Sequence, residues 1–368
     1  MVKKIKITLS LILCAVLAYI PLSGVKDSFS VQNVEKSAMV KSVGFDHSEQ
    51  STISYVQSVI DDSSAFHTQG LISAAGGSFA EAEKKAQILA DKYLTLSYAR
   101  HFLIGLSTAK ESIGEVLDFL LASPVLQLSS YVYICEENAR DMLEQISQDS
   151  ISTNEVLTNL NLAGQEEGYY YPVTILELAK AHREHACIAV PVIGAKEDGT
   201  NTAKKTVPVF KGYAILKDNR LLTVLNQTLS RAYNLLCNRV KRTTLTCEGS
   251  DFVLENVHTN VHFERQGDKV MCADFHMKAQ ISFASFAGDS LKDTQLLDAY
   301  LEKEKALLYA QIQTLFAFVG EQGADILNLE KELDIQSFGS IKNLPAALQG
   351  CDYAIEIEQK FNNNFTLM

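Results

Sequence analysis

Apolar residues recur along the chain with two periods, one near two and one near 3.6, so the pattern predicts strands interleaved with helices. Residues 38–45 read as a first strand closing at Gly44-Phe45-Asp46. Residues 52–60 read as a second, with Ile53, Tyr55 and Val59 on one face and Val56 and Ile60 on the other, and the two form an expected hairpin. Ser78 followed by Glu81 has the form of a capping box and opens a helix that runs to about Tyr93 or Leu94. Residues 101–106 are a buried strand. Thr108 with Glu111 repeats the capping pattern, and Ile113, Val116, Leu117, Leu120 and Leu121 then share one helical face until Pro124 ends it. Residues 126–134 alternate as a strand and 137–146 return to helix. Pro172 stands where a first-turn proline would open a helix through Ala181, and 187–193 form a short apolar strand.

Residues 194–206 hold glycine, lysine, aspartate, asparagine and threonine with little apolar content, and are expected to form a linker or exposed loop at the main domain boundary. Beyond it, strands at 207–216 and 220–225 flank the hairpin turn Lys217-Asp218-Asn219, and a helix follows from 228 to 237. Four strand-like stretches lie between 243 and 285, broken around Gly249 and at Gln266-Gly267-Asp268, with antiparallel pairing expected. Leu297, Leu301, Leu308, Ile312, Leu315 and Val319 keep a helical stripe over 293–319, which Gly320 to Gly323 closes, and 353–358 alternate as a terminal strand. The class is α+β. At 368 residues the chain exceeds what one core usually serves, so two or three domains are expected. The divisions are an N-terminal segment 1–25, an α+β region 26–193, the linker 194–206 and a second α+β region 207–368.

The N-terminus changes the picture from fold to location. Lys3, Lys4 and Lys6 precede an apolar run over 7–22, the form of an export signal or signal anchor. As a helix that run spans roughly 24 Å against about 30 Å of hydrocarbon, a marginal crossing. The leading lysines put the N-terminus in the cytoplasm and the remainder outside it, and no later stretch reads as a second span. Leu22-Ser23-Gly24 lacks the small-residue cleavage pattern, and Cys14 follows the bulky Leu13, which disfavours it as a lipid-attachment site. The formal charge of −11 argues against nucleic acid as a partner, and the short basic stretch Arg239-Val240-Lys241-Arg242 reads as a solvated face. Cys135, Cys187, Cys237, Cys247, Cys272 and Cys351 form no C-x-x-C pair and lie mostly in apolar surroundings, where reduced buried thiols are expected.

Catalytic signatures are scarce. Gly105-Leu106-Ser107-Thr108-Ala109 approaches the nucleophile elbow but ends in alanine, and Ser107 or Thr108 capping a helix accounts for the same residues. His182 and His185, with Cys187 nearby, have a spacing compatible with a metal if helical, while a helix end favouring histidine explains them without one. Asp61-Asp62 and Glu136-Glu137 abut strand ends, where acids solvate turns. Gly76-Gly77 opens a helix without the spacing of a phosphate loop. No catalytic, cofactor or metal residue is assigned.

Several phrases in order resemble one family over nearly the whole chain. They are Ser78-Phe79-Ala80-Glu81-Ala82, then Tyr98 through Gly105, then Val116-Leu117-Asp118-Phe119-Leu120-Leu121-Ala122-Ser123-Pro124, which is the nearest match. Tyr131-Val132-Tyr133-Ile134, Ala139 through Glu144, the stretch Gly212 through Leu221 and Gly323-Ala324-Asp325-Ile326 follow in the same order. The chain resembles the Ger(x)C family, the C subunits of spore germinant receptors. The resemblance implies a non-catalytic, extracytoplasmic subunit working beside two integral-membrane subunits in the inner spore membrane, where nutrients trigger germination. Members are normally lipoproteins, yet Val25 stands where the lipobox cysteine would be, so either the apolar run remains as the anchor, which is the expectation, or the receptor partners hold the domain at the membrane. Two other readings stand beside it: a membrane-anchored hydrolase resting on Ser107 and the His182–Cys187 cluster, and a solute-binding or envelope-assembly module unrelated to sporulation.

Overall fold

The computed structural model describes residues 37–60, 67–147, 153–198, 205–285 and 294–362. The N-terminal apolar run, Cys14, Val25 and the Asp61-Asp62 pair lie outside these residues. Among those described, the strands form a ten-stranded mixed sheet and a four-stranded sheet, and the class is α+β.

The first sheet has a parallel centre and antiparallel wings. β1 (Ser37–His47) and β2 (Ser51–Ile60) make the expected hairpin, and β3 (His67–Gly76), which the sequence pattern did not reveal, extends it antiparallel. On the other side of β1 lie β5 (His101–Gly105), β6 (Tyr131–Cys135) and β8 (Ile188–Asp198), all parallel. Parallel strands need crossovers, and helices supply them. α1 (Phe79–Leu89), α2 (Leu106–Glu111), α3 (Gly114–Ala122) and α6 (Ile175–Glu184) share a core with one face, while α4 (Ala139–Ser147) and α5 (Thr153–Glu166) cover the other. Because both faces are covered, β5 is buried at every position, which is why it reads as an unbroken apolar run.

Several boundaries differ from the sequence expectation. α1 stops at Leu89, and Tyr93–Thr95 forms a short strand, β4, beside β1. Thr108 does not cap a helix; it lies inside α2, and its hydroxyl accepts the backbone N–H of His47 at 2.8 Å. Pro172 precedes a short strand, β7 (Val173–Thr174), and Thr174 caps α6 in a full capping box with Glu177. Helix α5 was not foreseen.

The expected linker is mostly sheet. Residues 194–198 continue β8 and pair antiparallel with the start of β9 (Lys205–Lys217), as far as Asp198 opposite Lys205. Backbone hydrogen bonds extend a ladder past the last apolar residue, so polar composition does not mark its end. β9 turns into β10 (Arg220–Asn226) through Asp218 and Asn219, both at positive φ, the type I′ geometry their side chains favour. The segment expected to open the second region therefore closes the first sheet.

α7 (Gln227–Leu236) joins the two sheets. Its buried Leu229, Ala232, Tyr233, Leu235 and Leu236 belong to a core that β9 enters with Tyr213 and Ile215, while Ala214 and Leu216 on the opposite face enter the first core. The second sheet runs β11 (Arg242–Cys247), β12 (Ser250–Gln266), β13 (Lys269–Ser285) and β14 (Asp352–Phe361). Three strands, not four, occupy the stretch to Ser285, because β12 and β13 are each 17 residues long. β14 returns parallel to β13 after α8 (Thr294–Gln322), α9 (Leu329–Gln336) and α10 (Leu344–Leu348). Leu308, Ile312, Leu315, Phe316 and Val319 of α8 pack into the α7 core, closing it from the far side.

Candidate functional site

The residues flagged in the sequence for chemistry are not brought together. Ser107 is exposed on α2, and the hydroxyl beside it, Thr108, is occupied by His47. α6 ends at Glu184, so His182 lies in its last turn while His185 takes the left-handed cap at φ 52°. That places the two imidazoles off a common helical face. His185 Nδ1 sits 2.9 Å from Asp218 Oδ1, and burial pushes the Cys187 thiol up to about 11, away from the thiolate a metal needs. Among the described residues no group of three His, Cys, Asp or Glu is spaced to hold a metal ion.

The acidic and glycine motifs are equally committed. Glu136 pairs with Lys211 at 3.2 Å, and Glu137 accepts from Gln145. At the Gly76-Gly77 turn the α1 N-terminus is already met by carboxylates of the chain itself, since Gly77 N–H donates to Glu81 at 2.9 Å and Phe79 N–H to Glu115 at 3.0 Å. These acids take the favourable end of the helix dipole that a phosphate would use.

One grouping escaped the sequence reading. His47 Nδ1 lies 3.0 Å from Ser51 Oγ, and His47 Nε2 is 3.8 Å from Glu111. The set has the composition of a catalytic triad without its roles: Ser51 is fully buried and its hydroxyl donates to Glu115 at 3.1 Å. Through Glu115 it ties the β1–β2 turn to the start of α1. His101 is likewise structural, buried between Tyr133 OH at 3.1 Å and Thr158 Oγ1 at 3.3 Å, with burial holding its pKa down at about 4.

The most elaborate polar arrangement lies around α7, between the sheets. Tyr213 OH accepts the N–H of Tyr171 at 2.6 Å and donates to Asn234 Oδ1 at 2.8 Å, and Asn234 in turn donates to Tyr169 O. The Arg239 guanidinium lies 5.1 to 5.9 Å from the Tyr171, Tyr213 and Tyr233 ring centres and donates to Ala189 O at 3.2 Å. Arg239 thus turns inward, unlike the solvated face expected for that basic stretch; the exposed arginine of the group is Arg242, 3.6 Å from Glu255. On the far side Asn238 and Thr259 exchange two hydrogen bonds, pinning the end of α7 to β12. The signal for this seam was available in the sequence as tyrosine and asparagine inside apolar runs, at Tyr213 and at Tyr233-Asn234.

Two clefts meet at Arg239. One, of about 720 Å³, is lined by Tyr233, Thr259, His262, Asn328 and Gln336. The other, of about 570 Å³, carries charges of both signs, with Lys217, Lys331, Glu177, Asp325 and Glu330. Asp325 is itself spent, accepting from the N–H groups of Leu329 and Glu330 at 2.8 Å each. Mixed polar clefts at a junction suit recognition of a polar surface; the thiols that line them, Cys237 in the first and Cys187 in the second, are both pushed up to about 11 by burial.

Comparison with known proteins gives this arrangement a context. A family model described as the spore germination protein N-terminal domain matches residues 30–195, and one described as spore germination B3/GerAC like, C-terminal, matches residues 211–343. Over 242 residues, 64% of the chain, the sequence is 22% identical to YfkR of Bacillus subtilis (strain 168), whose name places it in spore germination; the match spans 61% of that relative's length. Among solved structures, the crystal structure of the GerBC protein superposes with a TM-score of 0.54 at 14% identity, covering 87% of this chain and 97% of that one.

Proposed function

Because the chain belongs to the Ger(x)C family of spore germination proteins, we propose that it is the extracytoplasmic, non-catalytic subunit of a nutrient germinant receptor. The observation that carries the reading is the pair of family matches, in order, over both α+β regions. The subunit works beside two integral-membrane subunits, and its contribution is a folded surface for assembly, with the mixed-charge clefts beside α7 as the polar part of that surface. The N-terminal apolar run is the tether, since Val25 offers no thiol for a lipid. Among the described residues no helix is long and apolar enough to cross a membrane.

Deleting the gene in a sporulating host that lacks a redundant receptor should abolish nutrient-triggered loss of spore refractility. Unchanged germination sinks the reading. For the tether, Val25→Cys should allow metabolic labelling with a fatty-acid analogue where the native chain takes none, and absence of label from the variant rejects the lipobox alignment.

A further inference from the structure

A third cleft borders the seam, where α5, the start of β9 and α7 meet. Its floor is aromatic. Tyr170 stacks on Phe210 with ring centres 4.8 Å apart and planes 20° from parallel. Gly164 makes this possible, because a Cβ there would stand 2.3 Å from the Tyr170 ring. Leu160, Pro208 and Val209 complete an apolar wall around about 380 Å³, at the small end of the range for small-molecule sites.

At the edge of this apolar space stands Arg231, on α7 and half-buried. Among the described residues it has no carboxylate within ion-pair distance and no hydrogen-bond acceptor, whereas Arg242 has Glu255 and Arg239 has Ala189 O and three rings. Burial pulls its pKa below the ordinary guanidinium value, so the charge is partly dehydrated. The neighbouring Gln227 donates to Phe210 O at 2.6 Å through its Nε2, and among the described residues no hydrogen bond joins its Oε1 to Arg231. In a chain with 44 acidic residues, a dehydrated cation left without an acid is an unfilled half of an ion pair.

We propose that this cleft binds a small apolar carboxylate of the arylalkanoic-acid type, its body against Leu160, Val209 and the edge of Phe210 and its carboxylate on the Arg231 guanidinium. Tyr170, itself fully buried, backs Phe210, and the guanidinium fork matches a carboxylate through two parallel hydrogen bonds. The volume admits one ring with a short chain. The binding does not depend on the receptor reading, because it rests on the cleft and Arg231 alone.

The test uses the full chain in lipid nanodiscs, with 3-phenylpropionate and its uncharged amide as probes, followed by calorimetric titration. The acid is expected to bind saturably and the amide about tenfold more weakly, the loss from an unpaired buried charge-assisted contact. Arg231→Gln should bring the acid down to the amide's level, and Arg231→Lys should fall between, keeping the charge but losing the fork. Val209→Trp, which fills the cleft from a half-exposed position, should abolish both. Equal binding of acid and amide by the native chain overturns the proposal, as does full affinity in Arg231→Gln or no saturation up to about 10 mM acid. The acid-to-amide comparison needs no variant, so it decides the matter even if a substituted chain misfolds.

Discussion

The core beneath α1 and α3 and the seam around α7 are both built on aromatic rings, yet they are opposite kinds of interior. In the first, Phe45 meets Phe79 at 5.2 Å, Phe119 at 5.6 Å and Phe102 at 6.4 Å, and these rings bring no polar atom into the packing. In the second, Tyr213, Tyr233, Asn234 and Arg239 bring hydroxyls, an amide and a charge into the packing. Apolar burial is strong and undirected, whereas a buried polar group is satisfied in one geometry only. The first interior therefore supplies stability to a single sheet, and the second fixes how one sheet is set against the other. The proposed role, presenting surfaces from both sheets to a partner, would need that angle held.

The largest test strikes the dry core. Phe45→Ala removes a fully buried ring from among three others and should cost about 3–5 kcal/mol. Urea unfolding should show an earlier midpoint with little change in slope, the mark of lost stability without a change in exposed surface. A loss below about 1 kcal/mol would mean the ring cluster relaxes around the gap, and the contrast between the interiors would fail.

How much of this was legible in the sequence follows the same divide. The periodic elements of the first region were readable because each strand or helix carries its own pattern, and the β9–β10 turn was readable because Asp218 and Asn219 suit positive φ locally. The continuation of β8 and β9 into the two ends of the expected linker was not, since its pairing depends on a strand partner and not on side chains. β3 was hidden for a similar reason, being a wing strand paired only to β2. Of the candidate chemistry, the sequence could show Ser107 and His182 but not that no hydrogen bond or ion pair joins them to another candidate among the described residues. The seam joins Tyr171, Tyr213 and Asn234, residues whose separation along the chain leaves no spacing to read.

The next test asks whether charge is tolerated in the second interior away from the seam. Glu304 on α8 is fully buried; one carboxyl oxygen accepts from Gln359 at 2.8 Å, and the other has no partner among the described residues. Burial raises its pKa to about 7, with the Gln359 contact opposing. The folded state thus holds a proton that the unfolded chain releases near 4.5. Stability is complete below that value, falls as pH rises through about 7, and is then lower by about 3 kcal/mol. Glu304→Gln should flatten the profile and raise the midpoint of unfolding at pH 8 while leaving it unchanged at pH 4.5. A wild-type profile equal to the variant's across pH 4.5–8 would show that the carboxylate finds solvent, and that this interior is wetter than its packing implies.

The smallest effect is the most specific to the seam. Tyr213→Phe keeps the ring between Phe210 and Tyr233 and deletes only the hydroxyl, stranding the Tyr171 N–H and the Asn234 carboxamide oxygen that it served. The expected cost is about 1–2 kcal/mol, less than the phenylalanine truncation. Its signature lies elsewhere: Asn234→Ala should cost less on top of Tyr213→Phe than alone, because the two share one hydrogen bond and only the Asn234 bond to Tyr169 O is left to lose, and the double-mutant cycle should close with a coupling of about 1 kcal/mol. If the seam sets the angle between sheets, the pair should also speed amide exchange in α7 relative to β5, none of whose residues lies in the α7 core. Exchange rising equally in α7 and β5 would place both interiors in one cooperative unit and remove the division of labour from which the comparison began.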